Sequence, residues 1–249
     1  MLLTREVWIR ISNGVNTFDH MLAIMLATLS VMLAFGKAPK QQDQNARWTF
    51  YKQGSFTGLA FAGACLFAWF AGGRPLGQYG IGSWLGDRPM QTALFASAWT
   101  VTIAVVLWSV SSGLGRERLR GIYASLAWLM PTTRKELAAS WGVGVSAAIG
   151  EEVAYRGFLL WYLSVLLGLP AAVVLTTIAF GLSHGYQRLF GCIFATLAGL
   201  VLACAYIVSE SLLLVICMHG TYNIASFTAG RFVLRGWSED RRRLRASGA

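Results

Sequence analysis

The sequence predicts an all-α fold, a polytopic transmembrane helix bundle of about seven spans, and three observations carry that prediction. Hydrophobic residues make up 55% of the 249, charged residues only 13%, and mean hydropathy is +0.53, a balance outside the soluble range. The apolar residues run continuously, as in AAVVLTTIAFGL, which suits helices, whereas barrel strands alternate over short segments. Lysine and arginine gather at alternate connections, as the positive-inside bias requires of a helical membrane protein. At roughly 20 apolar residues per span, 249 residues leave no length for a soluble domain, and the chain reads as one integral-membrane domain, 1–249.

Taken in order, the spans are expected at 19–36, 55–73, 90–111, 137–167, 170–187, 189–208 and 211–230. The first is expected to be retained rather than cleaved, because Lys37 and Lys40 follow the apolar run instead of preceding it. Polar connections with helix breakers separate the first four runs: GKAPKQQDQNAR, then GGRPLGQYGIGSWLGDRP, then GRERLRG through MPTTRKE. The last of these ends in Thr133 and Glu136, spaced as a capping box that opens the fourth span. That span is long enough to tilt or break. Within it Gly142, Ser146, Gly150 and Ala154 recur every four residues and form a stripe against which a neighbouring helix can pack closely.

With seven spans, one membrane face receives the connections 37–53 and 112–136, Arg188 and the C-terminal tail. That face holds sixteen of the twenty Lys and Arg outside the spans, against Arg5, Arg10, Arg74 and Arg88 on the other. The N-terminus is therefore expected outside and the C-terminus in the cytoplasm. The net charge of +10 is accounted for by this topogenic bias and by contact with lipid headgroups, so no nucleic-acid partner is expected. Cys65, Cys192, Cys204 and Cys217 all fall within spans, without CxxC spacing, and read as small packing residues. Trp48, Trp84, Trp99, Trp141, Trp161 and Trp237 read as interfacial anchors and packing groups.

Chemistry concentrates in the second half. Glu151 and Glu152 sit within apolar sequence, AAIGEEVAYRG, where an acidic side chain is costly and functional by default. Helical spacing separates their fates: Glu152 reaches Arg156 four residues on, while Glu151 shares its stripe with Tyr155 and has no local cation. A buried carboxylate without a countercharge can exchange protons near neutral pH. His184 lies one turn after Phe180 near the end of the fifth run, and His219 shares a face with Asn223 in the seventh. The third histidine, His20, opens the first run with no partner in reach and is expected at the interface.

The segments Glu151-Glu152-x-x-x-Arg156, Phe180-x-x-x-His184 and His219-x-x-x-Asn223 resemble, in order and spacing, the signature of the CAAX prenyl protease and bacteriocin-processing (CPBP, or Abi) family of intramembrane proteases. The resemblance covers about 133–230, the motif-bearing core, and leaves 1–132 as variable peripheral helices and loops. It implies proteolysis at a site among membrane helices, with Glu151 as general base acting with His184 on water. It further implies His219 and Asn223 as donors to the oxyanion, Glu152 and Arg156 as braces, and Phe180 as packing under His184 or as part of the substrate groove. The implied substrate is a membrane-anchored protein or peptide, cut near its C-terminal or membrane-proximal segment, in a bacterial-type inner membrane; a prenylated CAAX protein is one option among several.

Glu151, His184 and His219 also have the donor types of a zinc or other divalent metal site with water in the fourth position. No HExxH places two ligands on one helix turn, and a glutamate with a histidine can activate water alone, so metal-independent chemistry without a cofactor is the preferred reading. No GxSxG elbow, P-loop or GxGxxG is present. Ser146 and Ser183 read as packing serines, and Asp19, Asp43, Asp87 and Asp240 fall outside the spans or at their edges, which argues against aspartyl chemistry. Two other classes remain: a proton-coupled carrier, which calls for inverted repeats and an acidic counterpart in the first three spans that is absent, and a noncatalytic membrane scaffold or immunity protein that keeps the motifs for stability.

Overall fold

A computed structural model describes residues 14–35, 44–81 and 88–246, with side chains to 235. Among the described residues the secondary structure is helical throughout, with no strand. The helices are α1 (Thr17–Ala34), α2 (Gln44–Ala71), α3 (Pro89–Ser111), α4 (Gly113–Ser125), α5 (Arg134–Glu152), α6 (Leu160–Leu167), α7 (Leu169–Leu182), α8 (Arg188–Ser209) and α9 (Leu212–Ala246). A π-helical segment, Val153–Leu159, joins α5 to α6 without a break. Lys37, Lys40, Asp43, Trp84, Asp87, Arg5 and Arg10 lie outside the described residues, as do the side chains of Trp237, Asp240 and the RRRLR run.

Five helical stretches are long and apolar enough to cross a membrane: Thr17–Ala34, Gln44–Ala71, Pro89–Ser111, Gly185–Ser209 and Leu212–Arg235. They coincide with the expected first, second, third, sixth and seventh runs. The expected fifth run is α7, whose 14 residues extend only about 21 Å, short of the roughly 30 Å hydrocarbon core. Gly168 (φ +81) and Pro170 at its first turn separate it sharply from α6.

Two expected connections are helical instead. Residues 44–54 begin α2, and their polar composition has a partner that sequence distance hides: Arg47, buried, donates to Glu136 Oε1 from Nε at 3.3 Å and from Nη2 at 3.2 Å. The connection 112–136 contains α4, capped by Ser112, whose hydroxyl accepts the Gly115 N–H at 3.0 Å. The tail continues α9 to Ala246.

The capping box expected at α5 is present, with Thr133 Oγ1 accepting the Glu136 N–H at 3.1 Å and Glu136 Oε2 accepting the Thr133 N–H at 3.2 Å. Glu136 is fully buried and also accepts from the Thr132 N–H at 2.6 Å and the Thr132 hydroxyl at 2.7 Å. Every lone pair that burial strips of water is thereby repaid.

Helix α5 is the central rod, held between α2 and α9. On its α2 side a Cβ on Gly150 would run into the Gly58 backbone, and one on Gly58 would stand 3.0 Å from the Ser146 carbonyl. On its α9 side a Cβ on Gly144 would stand 3.0 Å from Asn223 Cβ, and Gly220 lies against Ala148. The expected small-residue stripe is thus a packing surface at Ser146 and Gly150, with Ala154 buried in the core, whereas a Cβ on Gly142 would meet nothing within 4 Å.

The N-terminal end of the bundle carries a second buried polar cluster. Asp19 caps α1 with Asn16 and forms a two-pronged ion pair with Arg74, one prong being Arg74 Nη1 to Asp19 Oδ1 at 2.9 Å. Both side chains are excluded from solvent, so Asp19, placed by sequence at a span edge, is as buried as Glu152. The Arg74 guanidinium lies 4.1 Å over the Trp161 ring, which makes this tryptophan a core residue and not an interfacial anchor. His20 has a partner after all, the Tyr162 hydroxyl at 2.6 Å from Nδ1; the two residues stand 142 positions apart in sequence.

Candidate active site

Glu151 and Glu152 fall on the last turn of α5, and the π segment starts at the next residue. A π turn leaves backbone carbonyls that the α-helical ladder would have bonded. Tyr79 meets one of them, its hydroxyl donating to the Val153 carbonyl at 2.8 Å. The Tyr79 ring lies so close to Gly157 that any side chain there would overlap it. Nothing in the apolar pattern of 137–167 marks this change of winding, and Tyr79 sits in the distant second connection.

The winding directs three groups. Glu152 Oε1 accepts from Arg156 Nη1 at 2.8 Å, as the spacing of four predicts, and Arg156 Nη2 donates to the Gly199 carbonyl of α8 at 2.9 Å. Gly199 is glycine for a local reason: a Cβ would come within 2.9 Å of the Phe180 ring and 3.3 Å of Arg156 Nη2. Glu152 has a second partner that the spacing does not reveal, His219 Nδ1 at 2.7 Å.

The two intramembrane histidines converge on Glu151. His184 Nε2 and His219 Nε2 each stand 3.9 Å from Glu151 Oε2. Each ring is oriented by its other nitrogen. His184 Nδ1 lies 2.9 Å from the Phe180 carbonyl, an acceptor, which places the proton on Nδ1. His219 Nδ1 donates in the same way to Glu152. Both Nε2 atoms therefore face the Glu151 carboxylate, whose Oε2 accepts no hydrogen bond among the described residues. Glu151 is the most accessible of the set, its side chain 28% exposed against none for Glu152.

Phe180 backs this arrangement. Its ring centroid is 4.9 Å from that of His184, 5.9 Å from His219 and 5.3 Å from Tyr155, and the Arg156 guanidinium lies 4.3 Å over its face. It packs beneath both histidines. Asn223 is placed otherwise than its pairing with His219 suggests: Nδ2 donates to the Gly144 carbonyl at 2.9 Å and ties α9 to α5 one turn from the histidine. The amide keeps a second N–H.

Two imidazole nitrogens and a carboxylate are the donor chemistry of a divalent metal, and both rings carry the backing acceptor that metal-bound histidines use. The spacing is wider than that of a closed site. The ligands of one tetrahedral zinc stand about 3.4 Å apart at the usual bond lengths, half an ångström or so less than the 3.9 Å separations found. Among the described residues no group of three His, Cys, Asp or Glu is arranged to hold a metal ion.

Residues 133–225 match the family model described as Type II CAAX prenyl endopeptidase Rce1-like, a segment that contains all three motifs. No curated protein and no solved structure matches the chain.

Proposed function

From this Rce1-like core in a chain of membrane-crossing helices, we propose an intramembrane endopeptidase that hydrolyses a peptide bond in a membrane-associated protein or peptide, with Glu151 as general base. The observation that carries the reading is the meeting of Glu151 Oε2 with two histidine Nε2 atoms at 3.9 Å. A water oxygen at hydrogen-bond distance, about 2.8 Å, from Glu151 Oε2 and from His184 Nε2 is held in attacking position. Glu151 takes one proton as the oxygen adds to the scissile carbonyl. His184, with its proton on Nδ1, accepts the other hydrogen and aims the nucleophile.

The carbonyl oxygen that becomes negative needs donors. Protonated His219 donates from both nitrogens, Nδ1 to Glu152 and Nε2 into the site, and the second Asn223 N–H adds to it. A positive His219 also balances charge: Glu151 and Glu152 face a single guanidinium, Arg156, and a further negative charge in an apolar interior is costly. Collapse of the tetrahedral intermediate breaks the C–N bond, and the proton held by Glu151 passes to the leaving nitrogen. Chemistry of this kind requires no metal and no cofactor. The substrate class is a membrane-anchored chain presenting a C-terminal or membrane-proximal segment, and the compartment proposed is a bacterial-type inner membrane.

The test is Glu151→Gln in purified protein, with cleavage of membrane-protein termini followed by mass spectrometry. Loss of cleavage by at least about 1,000-fold with an unchanged unfolding temperature is expected, because the amide cannot take the proton. Retained cleavage removes Glu151 from the chemistry. Full activity after strong chelation, with no stoichiometric metal by elemental analysis, is the expected outcome for the metal-independent route.

A further inference from the structure

Helix α1 lies outside the Rce1-like segment, yet it reaches the site's neighbours Tyr155 and Gly185. Its seat is imperfect. Between α1 and the face made by α6 and α7 runs an apolar groove of about 360 Å³, lined among others by Ala27, Val31, Leu159, Ile178 and Leu182. Leu22, Ala23 and Leu26 are buried in the core, so apolar packing holds the first half of α1, while beyond Leu26 the groove opens beside it and Ser30 is the one fully buried residue.

Polar bridges add to that packing, and they are unequal. At its start Asp19 and Arg74 form the buried two-pronged ion pair, with His20 bonded to the Tyr162 hydroxyl at 2.6 Å. Farther along, at the groove, the only bridge given by the described residues is a single one, Ser30 Oγ to the Tyr155 hydroxyl at 2.8 Å. Past it the Leu33 and Ala34 carbonyls press on Gly185 so closely that a Cβ there would overlap them, and Gly185 adjoins His184. The Tyr155 ring in turn rests on Phe180, which backs both histidines. The far half of α1 therefore touches the site at two points, and among the described residues the Ser30–Tyr155 pair is the side-chain hydrogen bond given between that half and the rest of the bundle.

We propose that α1 is a lateral gate between the bilayer and the Glu151 site, hinged at Asp19–Arg74 and latched at Ser30–Tyr155. Swinging about the hinge lifts Ser30 from Tyr155 and the Leu33–Ala34 end from the turn that carries His184, and opens the groove into the site. The inference rests on the site proposed above for its purpose, but its test does not require proteolysis.

The probe is dicyclohexylcarbodiimide, an apolar carboxyl reagent that arrives from the lipid phase, with modification of Glu151 read by peptide mass. Ala27→Cys and Ile178→Cys, on opposite walls of the groove, are joined by a reducible bis-methanethiosulfonate linker after Cys192, Cys204 and Cys217 are replaced by alanine; Cys65 is fully buried and stays. Linking is expected to slow Glu151 labelling at least tenfold, and reduction to restore it. Ser30→Ala, which removes the latch with little risk to folding, is expected to speed labelling roughly three- to tenfold, the worth of one hydrogen bond between membrane helices. Equal rates in the linked and reduced states, or a Ser30→Ala rate equal to wild type, overturn the gate. A protein that proves not to be a peptidase would still give the labelling pattern, so the two readings fail separately.

Discussion

At Glu152 one carboxylate oxygen serves two partners, Arg156 at 2.8 Å and His219 at 2.7 Å, and this sharing couples the fold to the chemistry. The same oxygen that neutralises a guanidinium also holds the His219 ring by its Nδ1–H. Glu152→Gln is therefore expected to act twice. It leaves Arg156 as a buried charge without its counter-ion, a change that costs about 3–5 kcal/mol in comparable pairs, visible as a lower unfolding temperature. It also removes the carboxylate that orients His219, and loss of a histidine-orienting carboxylate costs orders of magnitude in rate in the serine-protease triad, so the folded fraction should cleave at least about 100-fold more slowly. Unchanged cleavage by the folded fraction would leave Glu152 as a brace only. The inequality of the two acids was legible from a spacing of four residues, and the Glu152–Arg156 pair follows it. The His219 contact was not legible, because its 67-residue separation leaves no periodic trace. Asn223 shows the opposite failure: helical spacing places it on the His219 face, but its nearest acceptor is a backbone carbonyl of α5. Asn223→Ala is expected to lower stability by about 1 kcal/mol through that bond and to lower kcat by about 100-fold or more if the second N–H meets the oxyanion. A stability change without the rate change assigns it to packing alone.

Among the elements, α5 shows what a sequence pattern can and cannot announce. Thr133 and Glu136 declare the start of the helix, because a capping box is a local device. The π segment that follows Glu152 depends on Tyr79 and is written nowhere in the local pattern. The small-residue ladder lies between these extremes. Its period was readable, but which rungs face a neighbour depends on where α2 crosses. Gly150→Ala forces a methyl into the Gly58 backbone and is expected to cost about 1–3 kcal/mol as overpacking, whereas Gly142→Ala enters open space and should gain up to about 1 kcal/mol from helix propensity; thermal unfolding of the pair measures both signs. Equal effects at the two glycines would mean that the α2 crossing lies elsewhere. Arg47 and Lys52 have the composition of a solvated, topogenic connection, which predicts a loop where α2 begins. Burial of Arg47 against Glu136 reverses that reading. Burial works against the charge on Glu136, but the hydrogen bonds from Thr132, Thr133 and Arg47 outweigh it and hold the carboxyl below its ordinary value. A depressed folded-state pKa contributes stability that is present above the unfolded value, about 4.3, and is lost as pH falls through the folded one. Wild-type protein should lose stability on that acid side more steeply than Glu136→Gln, as followed by unfolding between pH 6 and pH 3.

For the whole molecule, contacts sort the helix ends into two groups. Asp19, Arg74, Tyr79, Trp161, Tyr206 and Leu212 are linked at one end of the bundle. Tyr51, Tyr123, Leu129 and Met130 meet the C-terminal half of α9 at the other. The start of α1 and the body of α9 past Gly230 thus sit at opposite ends, and the positive-inside argument from sixteen of twenty basic residues predicts that the α9 end is the cytoplasmic one. Charge bias alone does not say how a 14-residue α7 shares the bilayer with the 34 residues of α5, the π segment and α6. The short helix ends at the turn that places His184 Nε2 3.9 Å from Glu151 Oε2. Sidedness is open to direct measurement at two glycines that face open space, Gly77 beside Arg74 and Gly121 on the basic α4. Either takes a cysteine without steric cost. In intact spheroplasts a membrane-impermeant maleimide is expected to label Gly77→Cys at once and Gly121→Cys only after permeabilisation, in a background lacking Cys192, Cys204 and Cys217. The reverse order would invert the bundle and put the basic residues outside, and labelling of both from one side would require an even number of crossings between Gly77 and Gly121, where α3 alone now stands.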